Sequence, residues 1–205
     1  MKKILEYLSS TFSLLTEDAS HYILNCCDEI TLKKREILLK EGETCEHVWF
    51  IKTGLLRAYS VNEKGQEFSN WFMRENDIAT SVVSFFLGRP SEETVEALED
   101  CVIFKMSRKD LFKGLSKYVS MLMATFLITV KYYCQTRLIE SFLRKNQLRK
   151  IYDYLLSDHP ELVQRVPEKH LASFLGVSIP TYTEIKSPKK KKTDTPVKKK
   201  KNGRG

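Results

Sequence analysis

The chain has 205 residues, 42% of them apolar, so it can build one large domain or two small ones around a real core. Its formal net charge is +8, but residues 186–205 hold nine lysines, Arg204 and one aspartate, a net of +9. The other 185 residues therefore carry 8 − 9 = −1. This balance excludes a strongly basic folded body and indicates a basic, solvated tail that could meet nucleic acid.

Cysteine and histidine usage argues against a secreted, disulfide-bonded or metal-binding protein. The five cysteines are an odd number without a Cys-x-x-Cys pair, and the four histidines are scattered. The N-terminus is too polar for a signal peptide, and the most apolar run, 119–130, is shorter than the roughly 20 residues of a membrane span. We expect a cytoplasmic protein with no membrane partner, metal or bound cofactor.

The chain begins with a helical pattern and then changes to short β-rich runs. Residues 3–28 predict helix, with a helix start at Thr16-Glu17-Asp18. The β-rich runs are 37–39, 48–51, 55–59, 68–72 and 101–104. The turn residues between them are Gly42, Gly54, Gly65 and Asn76, which recur every eleven or twelve positions. Strands at this spacing predict an antiparallel sandwich or roll over residues 29–106.

A helical pattern returns at Ser107, which can cap a helix, and residues 116–138 predict one long helix without Pro or Gly. The residues Val119, Met123, Phe126, Val130 and Tyr133 step by four, three, four and three, as in a coiled-coil seam. Leu122, Leu127 and Ile128 lie off that seam. The helix is either buried within its own domain or packs on both its β-domain and a twin helix, and the pattern favours the twin. We predict a dimer interface formed by Val119, Leu122, Met123, Phe126, Val130 and Tyr133.

The last elements predict a pair of short helices around a tight turn. Residues 141–157 form a further helix that Asp158-His159-Pro160 ends. Pro167 then opens a short helix with Leu171, Ala172 and Leu175 on one face; Gly176 ends it, and Ser178 can cap the next helix. This is the pattern of a helix-turn-helix, whose second helix enters the DNA major groove, although an ordinary helical hairpin has the same pattern.

A β-roll, a long helix and a helix-turn-helix in this order resemble the Crp–Fnr family of bacterial transcription regulators, over roughly residues 12–187. The resemblance is carried by Glu41-Gly42-Glu43 with Gly54 and Gly65, by Glu75-Asn76-Asp77-Ile78, and by residues 166–178. It implies a homodimer built on the long helix, an effector pocket in the roll and DNA binding through the C-terminal module. We expect double-stranded DNA, a second copy of the chain, RNA polymerase and an unidentified effector as partners.

The β-roll departs from the family members that bind cyclic nucleotides. In those members a Gly-Glu pair takes the ribose, and an Arg about a dozen residues later neutralises the phosphate. The matching positions here are Thr80-Ser81 and Glu93 before Thr94, with Arg89 four positions before Glu93. A carboxylate repels phosphate, so we predict that cyclic AMP is not the effector unless Arg89 replaces the missing cation. The predicted effector pocket consists of Thr80, Ser81, Arg89, Glu93 and Thr94.

The second helix of the helix-turn-helix departs as well. Family members place polar and basic side chains in its first turn and an Arg one turn later, where this chain has Ile179, Pro180 and Glu184. An Arg that reads guanine is therefore missing. The residues left as predicted DNA contacts are Ser178, Thr181, Tyr182, Thr183, Lys186 and Lys169.

These patterns predict an α+β fold: an antiparallel β-roll of the double-stranded β-helix or jelly-roll type with flanking helices, a long dimerisation helix and a small helix-turn-helix domain. The predicted boundaries are 1–115 for the N-terminal helices and sensor, 116–140 for the dimerisation helix, 141–187 for the DNA-binding domain and 188–205 for the tail. We expect a regulator and not an enzyme, because no catalytic motif or phosphate loop is present. The alternative is a ligand-sensing dimer with a degenerate helix-turn-helix that holds nucleic acid nonspecifically through its tail.

Overall fold

The computed structural model describes residues 15–187 of the chain. The predicted helix before Leu15 and the lysine-rich tail from Pro188 lie outside these residues. The helices are α1 Glu17–Cys26, α2 Val82–Leu87, α3 Arg108–Lys117, α4 Val119–Arg144, α5 Leu148–Asp158, α6 Pro160–Arg165, α7 Glu168–Phe174 and α8 Ile179–Lys186. The strands are β1 Cys27–Leu32, β2 Ile37–Leu39, β3 His47–Thr53, β4 Leu56–Val61, β5 Glu67–Met73, β6 Ile78–Ala79, β7 Thr94–Ala97 and β8 Cys101–Ser107.

The strands form two antiparallel four-stranded sheets that face each other as a β-roll. The first sheet has the order β1-β8-β3-β6 and the second has the order β2-β7-β4-β5. Four turn residues, Gly42, Gly54, Gly65 and Asn76, have φ values of 90°, 106°, 74° and 70°. Gly54 is the most constrained, since a Cβ there would lie 2.4 Å from Cys101 Sγ. The predicted β-roll and its turns are confirmed.

The core of the roll lies between the two sheets and extends to the helices beside them. Val48 and Phe50 of β3 and Met73 of β5 contribute to this core, and the intervening Trp49 and Ile51 of β3 are buried in it as well. Helix α1 begins as predicted, with the Thr16 hydroxyl accepting a hydrogen bond from the Ala19 N–H. The Ser107 hydroxyl likewise accepts from the Asp110 N–H at the start of α3. These caps fix where helices join the roll.

Several predicted boundaries are wrong. The chain leaves the helical conformation at Cys27, which begins β1, so the predicted helix to residue 28 is too long. The long helix begins at Val119 after a break at Tyr118 and continues to Arg144, beyond the predicted end at residue 138. The next helix begins at Leu148, not at residue 141, and Pro160 opens α6 as well as ending α5. Strands β1, β6 and β7 and helix α2 were not predicted.

A second core joins the roll to the C-terminal module, which we define as helices α5–α8. Leu55, Phe72 and Leu98 of the roll pack with residues of α4–α8, including Ile151 and Leu171. Phe72 and Met73 are neighbours on β5, yet Met73 belongs to the inner core and Phe72 to this second core. The second sheet therefore separates the interior of the roll from the C-terminal module.

Candidate effector cavity and nucleic-acid interface

A cavity of about 460 Å³ lies between the inner sides of the roll and helix α4. This volume falls within the ~300–1,000 Å³ that is usual for small-molecule sites. The strands contribute Val48, Phe50, Ala58, Met73 and Ile78 to its wall, and helix α4 contributes Met121, Ala124, Ile128, Thr129 and Tyr132. The cavity exists because apolar side chains of the strands and of one side of α4 point into the same space.

The structure places two of the five predicted effector residues in this cavity, Thr80 and Glu93. Ser81 is buried and accepts a hydrogen bond from the Ser91 hydroxyl at 3.0 Å. Thr94 is also buried, and its hydroxyl accepts from the Glu41 N–H at 3.1 Å. Neither of these two residues lines the cavity, so the prediction for them is corrected: they hold the loops that surround it.

Arg89 is exposed and is not among the residues that line the cavity. No lysine or arginine is found among the lining residues within 15–187. Glu93 is the charged group that reaches the wall, where its carboxylate accepts a hydrogen bond from the Asn70 amide at 3.1 Å. A cyclic phosphate in this cavity would meet the Glu93 carboxylate, and none of the described lining residues carries a guanidinium that could neutralise it, so the prediction that cyclic AMP is not the effector stays a prediction.

Sequence reasoning missed most of the residues that form the cavity. The position of Ile128 off the coiled-coil seam did indicate that α4 has a second apolar side. Tyr132 carried no such signal, because its hydroxyl is held by contacts distant in sequence: it donates to the Asp77 carboxylate and accepts from the Ile78 N–H, both at 3.2 Å.

Most of the predicted dimer seam lies away from the cavity on α4, although Tyr133 also lines the cavity, and all seam residues are exposed in the single chain. The exposed fractions are 74% for Val119, 51% for Leu122, 47% for Met123, 58% for Phe126, 40% for Val130 and 65% for Tyr133. A contiguous exposed apolar strip of this kind marks an interaction surface. The predicted interface is thus free to meet a partner.

The helix-turn-helix corner is built as the sequence indicated. Leu171, Ala172 and Leu175 are buried, Gly176 has a φ of 69°, and the Ser178 hydroxyl accepts a hydrogen bond from the Thr181 N–H. The left-handed φ is easily reached only by a residue such as glycine, and it turns the chain into α8. The corner therefore presents α8 as a short helix with a defined outer side.

The outer side of α8 differs from the predicted set of DNA contacts in one residue. Tyr182 is only 2% exposed and packs against Tyr152 in the core of the module, so its prediction as a DNA contact is corrected. Burial, first of all, raises the pKa of Tyr182 to about 12, so it stays a neutral core residue. Thr181, Thr183 and Glu184 are exposed.

Cations near α8 are few. Lys169 is exposed on α7, and Lys186 at the end of α8 forms an ion pair with Glu168 at 2.5 Å. Ser178, whose side chain caps α8, is also exposed. Arg149 of α5 donates to the carbonyls of Ile185 and Ser187 and so holds the end of α8 in place. The outer side of α8 thus presents mainly hydroxyl groups and the carboxylate of Glu184 to a partner.

Comparisons with known proteins agree with this architecture. Residues 29–118 match the family model of the cyclic nucleotide-binding domain. The chain is similar to the catabolite activator protein of Thermus thermophilus, at 14% identity and a TM-score of 0.57 over 85% of this chain and 84% of that one. It is also similar to a putative regulator of the Crp/Fnr family from Eubacterium rectale, at 18% identity and a TM-score of 0.64 over 86% and 85% of the two chains.

The c-di-GMP-responsive regulator CLP of Xanthomonas campestris is another similar structure, at 16% identity and a TM-score of 0.67, covering 83% of this chain and 89% of that one. The chain has the fold of the Crp/Fnr regulators. No curated protein sequence matches it at a significant level. At these identities the similarity establishes the Crp/Fnr fold, which combines a roll of the nucleotide-binding type, a long helix and a helix-turn-helix module.

Within this Crp/Fnr fold, the C-terminal module is fastened to the second sheet by Ser173 of α7, whose hydroxyl accepts from the Ser69 N–H at 3.0 Å and donates to the Glu67 carbonyl at 2.8 Å. In the same sheet, Arg57 of β4 is 1% exposed and donates to Ser69 at 2.8 Å, to Glu67 at 2.7 Å and to Glu96 at 2.9 Å. His170 of α7 is buried as well, and burial, assisted by the charge of Arg57, lowers the pKa of His170 to about 4. The histidine is therefore neutral at physiological pH.

Ion pairs also join the C-terminal module to the roll. The Arg165 guanidinium of α6 forms two hydrogen bonds with Glu75, at 2.8 and 3.0 Å, and two with Glu99, at 3.1 and 2.6 Å. These bonds raise the pKa of Arg165. Glu75 is in turn bonded to the Gly54 N–H at 2.8 Å, so Arg165 links the module to a turn of the roll.

Within residues 15–187, no group of three His, Cys, Asp or Glu side chains is arranged to hold a metal ion. None of the described helices alone is long and apolar enough to cross a membrane; α3 and α4 meet that criterion only when taken together, and they are bent by 116°.

Proposed function

We propose that the chain is a homodimeric, DNA-binding transcription regulator whose β-roll senses a small molecule other than cyclic AMP. The observation that carries the proposal is the corner at Gly176 and Ser178, which presents an exposed α8 within a Crp/Fnr fold. A helix-turn-helix places its second helix in the major groove, and the outer side of α8 is open to solvent.

The proposed DNA contacts are Ser178, Thr181, Thr183, Lys186 and Lys169. Hydroxyl groups can bond to phosphate or to base edges, but they discriminate less than an Arg–guanine pair, which is worth about 1–3 kcal/mol. Lys186 contributes less than a free lysine because Glu168 already neutralises it. We therefore propose a modest preference among duplex sequences.

The exposed strip of α4 supports the proposed dimer. A two-fold symmetric pair would bring two copies of α8 to the same side of a duplex, as dimeric helix-turn-helix proteins do. Each helix would bury its seam residues against the other, which removes apolar area from water and stabilises the pair. The cavity lies against the same helix, mainly on the side away from the seam, and Tyr133 belongs to both.

A second candidate function is favoured by Ile179 and Glu184. Ile179 is 51% exposed and Glu184 is exposed on α8, where an isoleucine cannot bond to phosphate and a glutamate repels it. In this alternative the dimer senses a ligand, and the lysine-rich tail supplies nonspecific attachment to nucleic acid.

Selection of duplexes from a random pool separates the two candidates. The regulator should enrich a defined sequence, and changing Thr181→Ala and Thr183→Ala together should abolish the enrichment while general duplex binding persists. Thr53→Ala, an exposed threonine at the end of β3, is the matched control and should enrich the same sequence. If the wild-type chain binds duplexes but enriches none, the second candidate holds.

A further inference from the structure

The cavity in the roll has walls that differ from those of a phosphate site. Its lining is dominated by aliphatic, aromatic and methionine side chains, such as Phe50, Trp71, Met73 and Met121. Walls of this kind gain free energy when they contact apolar atoms in place of water. A ligand that buries mostly carbon in the cavity would therefore be stabilised without any ion pair.

Several polar groups on the wall are already bonded within the protein. The Thr80 hydroxyl donates to the His47 carbonyl at 3.2 Å, and the Thr129 hydroxyl donates to the Thr125 carbonyl at 2.8 Å. Glu93 accepts from the Asn70 amide at 3.1 Å. Further polar side chains on the wall, those of Trp71, Thr125, Tyr133 and Thr136, offer only hydroxyl and indole groups. A phosphate or other strongly polar ligand would lose its hydration on entry, and groups of this kind would replace only part of it.

The charge on the cavity wall also disfavours a phosphate ligand. Glu93 is the acidic residue among those that line the cavity, and no lysine or arginine in the described part of the chain joins it there. A phosphate or carboxylate on a ligand would therefore be desolvated beside a like charge, which is unfavourable. The cavity selects against anions.

We propose that this cavity binds a neutral, predominantly apolar small molecule and not a nucleotide or other phosphate. The inference rests on the proposed function, because it gives the effector of the roll its chemical class. The ligand would touch Ala124 and Ile128 on one side of α4, whose other side carries Phe126 of the seam. Filling the cavity would thus press directly on the helix that positions the dimer.

The test uses N-phenyl-1-naphthylamine, a neutral apolar probe whose fluorescence rises when it leaves water. We expect saturable binding of the probe to the full-length protein at one site per chain. Cyclic AMP at millimolar concentration should neither bind in calorimetry nor displace the probe. Saturable cyclic AMP binding in the micromolar range, or no saturable probe binding, would overturn the proposal.

Variants locate the probe. Ala124→Trp fills the cavity from the helix side, and Ile128→Trp does so one turn further along in case the first variant folds poorly. Each should weaken probe binding at least tenfold while the circular dichroism spectrum stays that of the wild type. Leu138→Trp, at a 38% exposed position of α4 away from the lining, is the matched control and should change binding less than twofold. Probe binding that survives both filling variants contradicts the assignment.

Two further comparisons are needed. One distinguishes probe binding in the cavity from binding to the exposed seam, and the other distinguishes failure of the ligand class from failure of the proposed DNA-binding function. If Phe126→Asp abolishes probe binding and the filling variants do not, the probe lies on the surface of α4 and the proposal is wrong. Enrichment of duplexes from the random pool is measured on the same preparations. Loss of enrichment with intact probe binding would contradict the DNA-binding function alone, whereas intact enrichment without probe binding would contradict the ligand class alone.

Discussion

The β-roll and the C-terminal module both have the backbone of the Crp/Fnr fold. Both also lack an arginine that the resemblance to the Crp–Fnr family leads one to expect. In the roll, Glu93 stands where a phosphate-binding Arg is expected, and the cavity behind it is apolar. In the module, Glu184 stands where a base-reading Arg is expected, and hydroxyl groups remain. The two losses have different consequences. A cavity without a cation can still bind neutral apolar ligands, whereas α8, whose Lys186 is already paired with Glu168, needs additional positive charge to hold DNA.

The comparison shows that fold and chemistry are specified by different residues. Backbone conformation is set by positions such as Gly54 and Gly176, which no bulkier side chain could occupy without strain. The choice of ligand or nucleic acid depends instead on the side chains that this backbone positions. Four predictions test whether the two regions differ as described, and they begin with the largest expected effect.

The first prediction concerns the dimer interface on α4, the helix that lies between the roll and the C-terminal module. Phe126→Asp would place a carboxylate in each half of the seam, where an unpaired buried ion costs several kcal/mol. We expect the wild-type chain to be a dimer and the variant to be a monomer by light scattering. Leu138→Asp, on the same helix but away from the seam, should remain dimeric. A monomeric wild-type chain, or a dimeric Phe126→Asp variant, is incompatible with this interface.

The tail should supply the positive charge that the module lacks. The tail has lysines at 189–192 and 198–201, outside the described residues, and each phosphate neutralised contributes roughly −0.9 to the slope of log affinity against log salt. Truncation after Ser187 should flatten this slope by several units and leave a weak residual sequence preference. A chain of unchanged length with these lysines replaced by Gln should behave like the truncated one. Unaltered duplex affinity after truncation would show that the tail takes no part.

The second sheet, on which the C-terminal module packs, should depend strongly on Arg57. Removing its side chain in Arg57→Ala leaves Glu67 and Glu96 without their buried partner, and breaking a buried pair costs up to about 3–5 kcal/mol. Lys52→Ala, which removes the more exposed pair with Glu29, should cost less than about 1 kcal/mol. Urea unfolding measures both changes. Equal losses in the two variants would mean that Arg57 does not hold the sheet together.

His170, which is buried where the module meets the roll, should make the folded protein less stable in acid. The unfolded chain protonates the histidine near its ordinary pKa of 6.5, whereas the folded chain does so only near a pKa of about 4. The free energy of unfolding must therefore fall as the pH decreases from about 6.5 towards 4, by about 1–2 kcal/mol between pH 6.5 and 5. His170→Gln should flatten this slope and leave the smaller contributions of His47 and His159, whose pKa values are also lowered by burial. The same slope in both proteins would exclude His170 as the cause.

The sequence predicted those parts of the structure that depend on local rules. The turns of the roll and the corner at Gly176 were found because positive φ values favour glycine, and Ser107 and Ser178 were found because short hydroxyl side chains cap helices. Strand β7, with four residues, was too short to show alternation. Its existence is fixed by pairing with β2 and β4, which no local pattern reveals.

The residues that sequence reasoning misplaced are those whose environment is set by distant contacts. Tyr182 looked like a polar contact on α8, but eight residues give too few turns to show which side is buried, and Tyr152 covers it from another helix. Arg57 gave no signal at all, because an arginine within a β-rich run is expected to face solvent until a second element packs over it. Thr94 and Ser81 are next to the lining residues Glu93 and Thr80 in the sequence, but their hydroxyls form hydrogen bonds with Glu41 and Ser91 in the loops around the cavity.

Footprinting on the duplex most enriched from the random pool tests the central claim most directly, since it reports DNA recognition and dimerisation together. We expect two protected patches on one side of the duplex, with their centres one helical turn, about 34–36 Å, apart, as two copies of α8 in a symmetric dimer require. Phe126→Asp should reduce this to one weak patch. A single asymmetric patch in the wild-type protein, or uniform protection without sequence preference, would contradict recognition of DNA by a symmetric dimer.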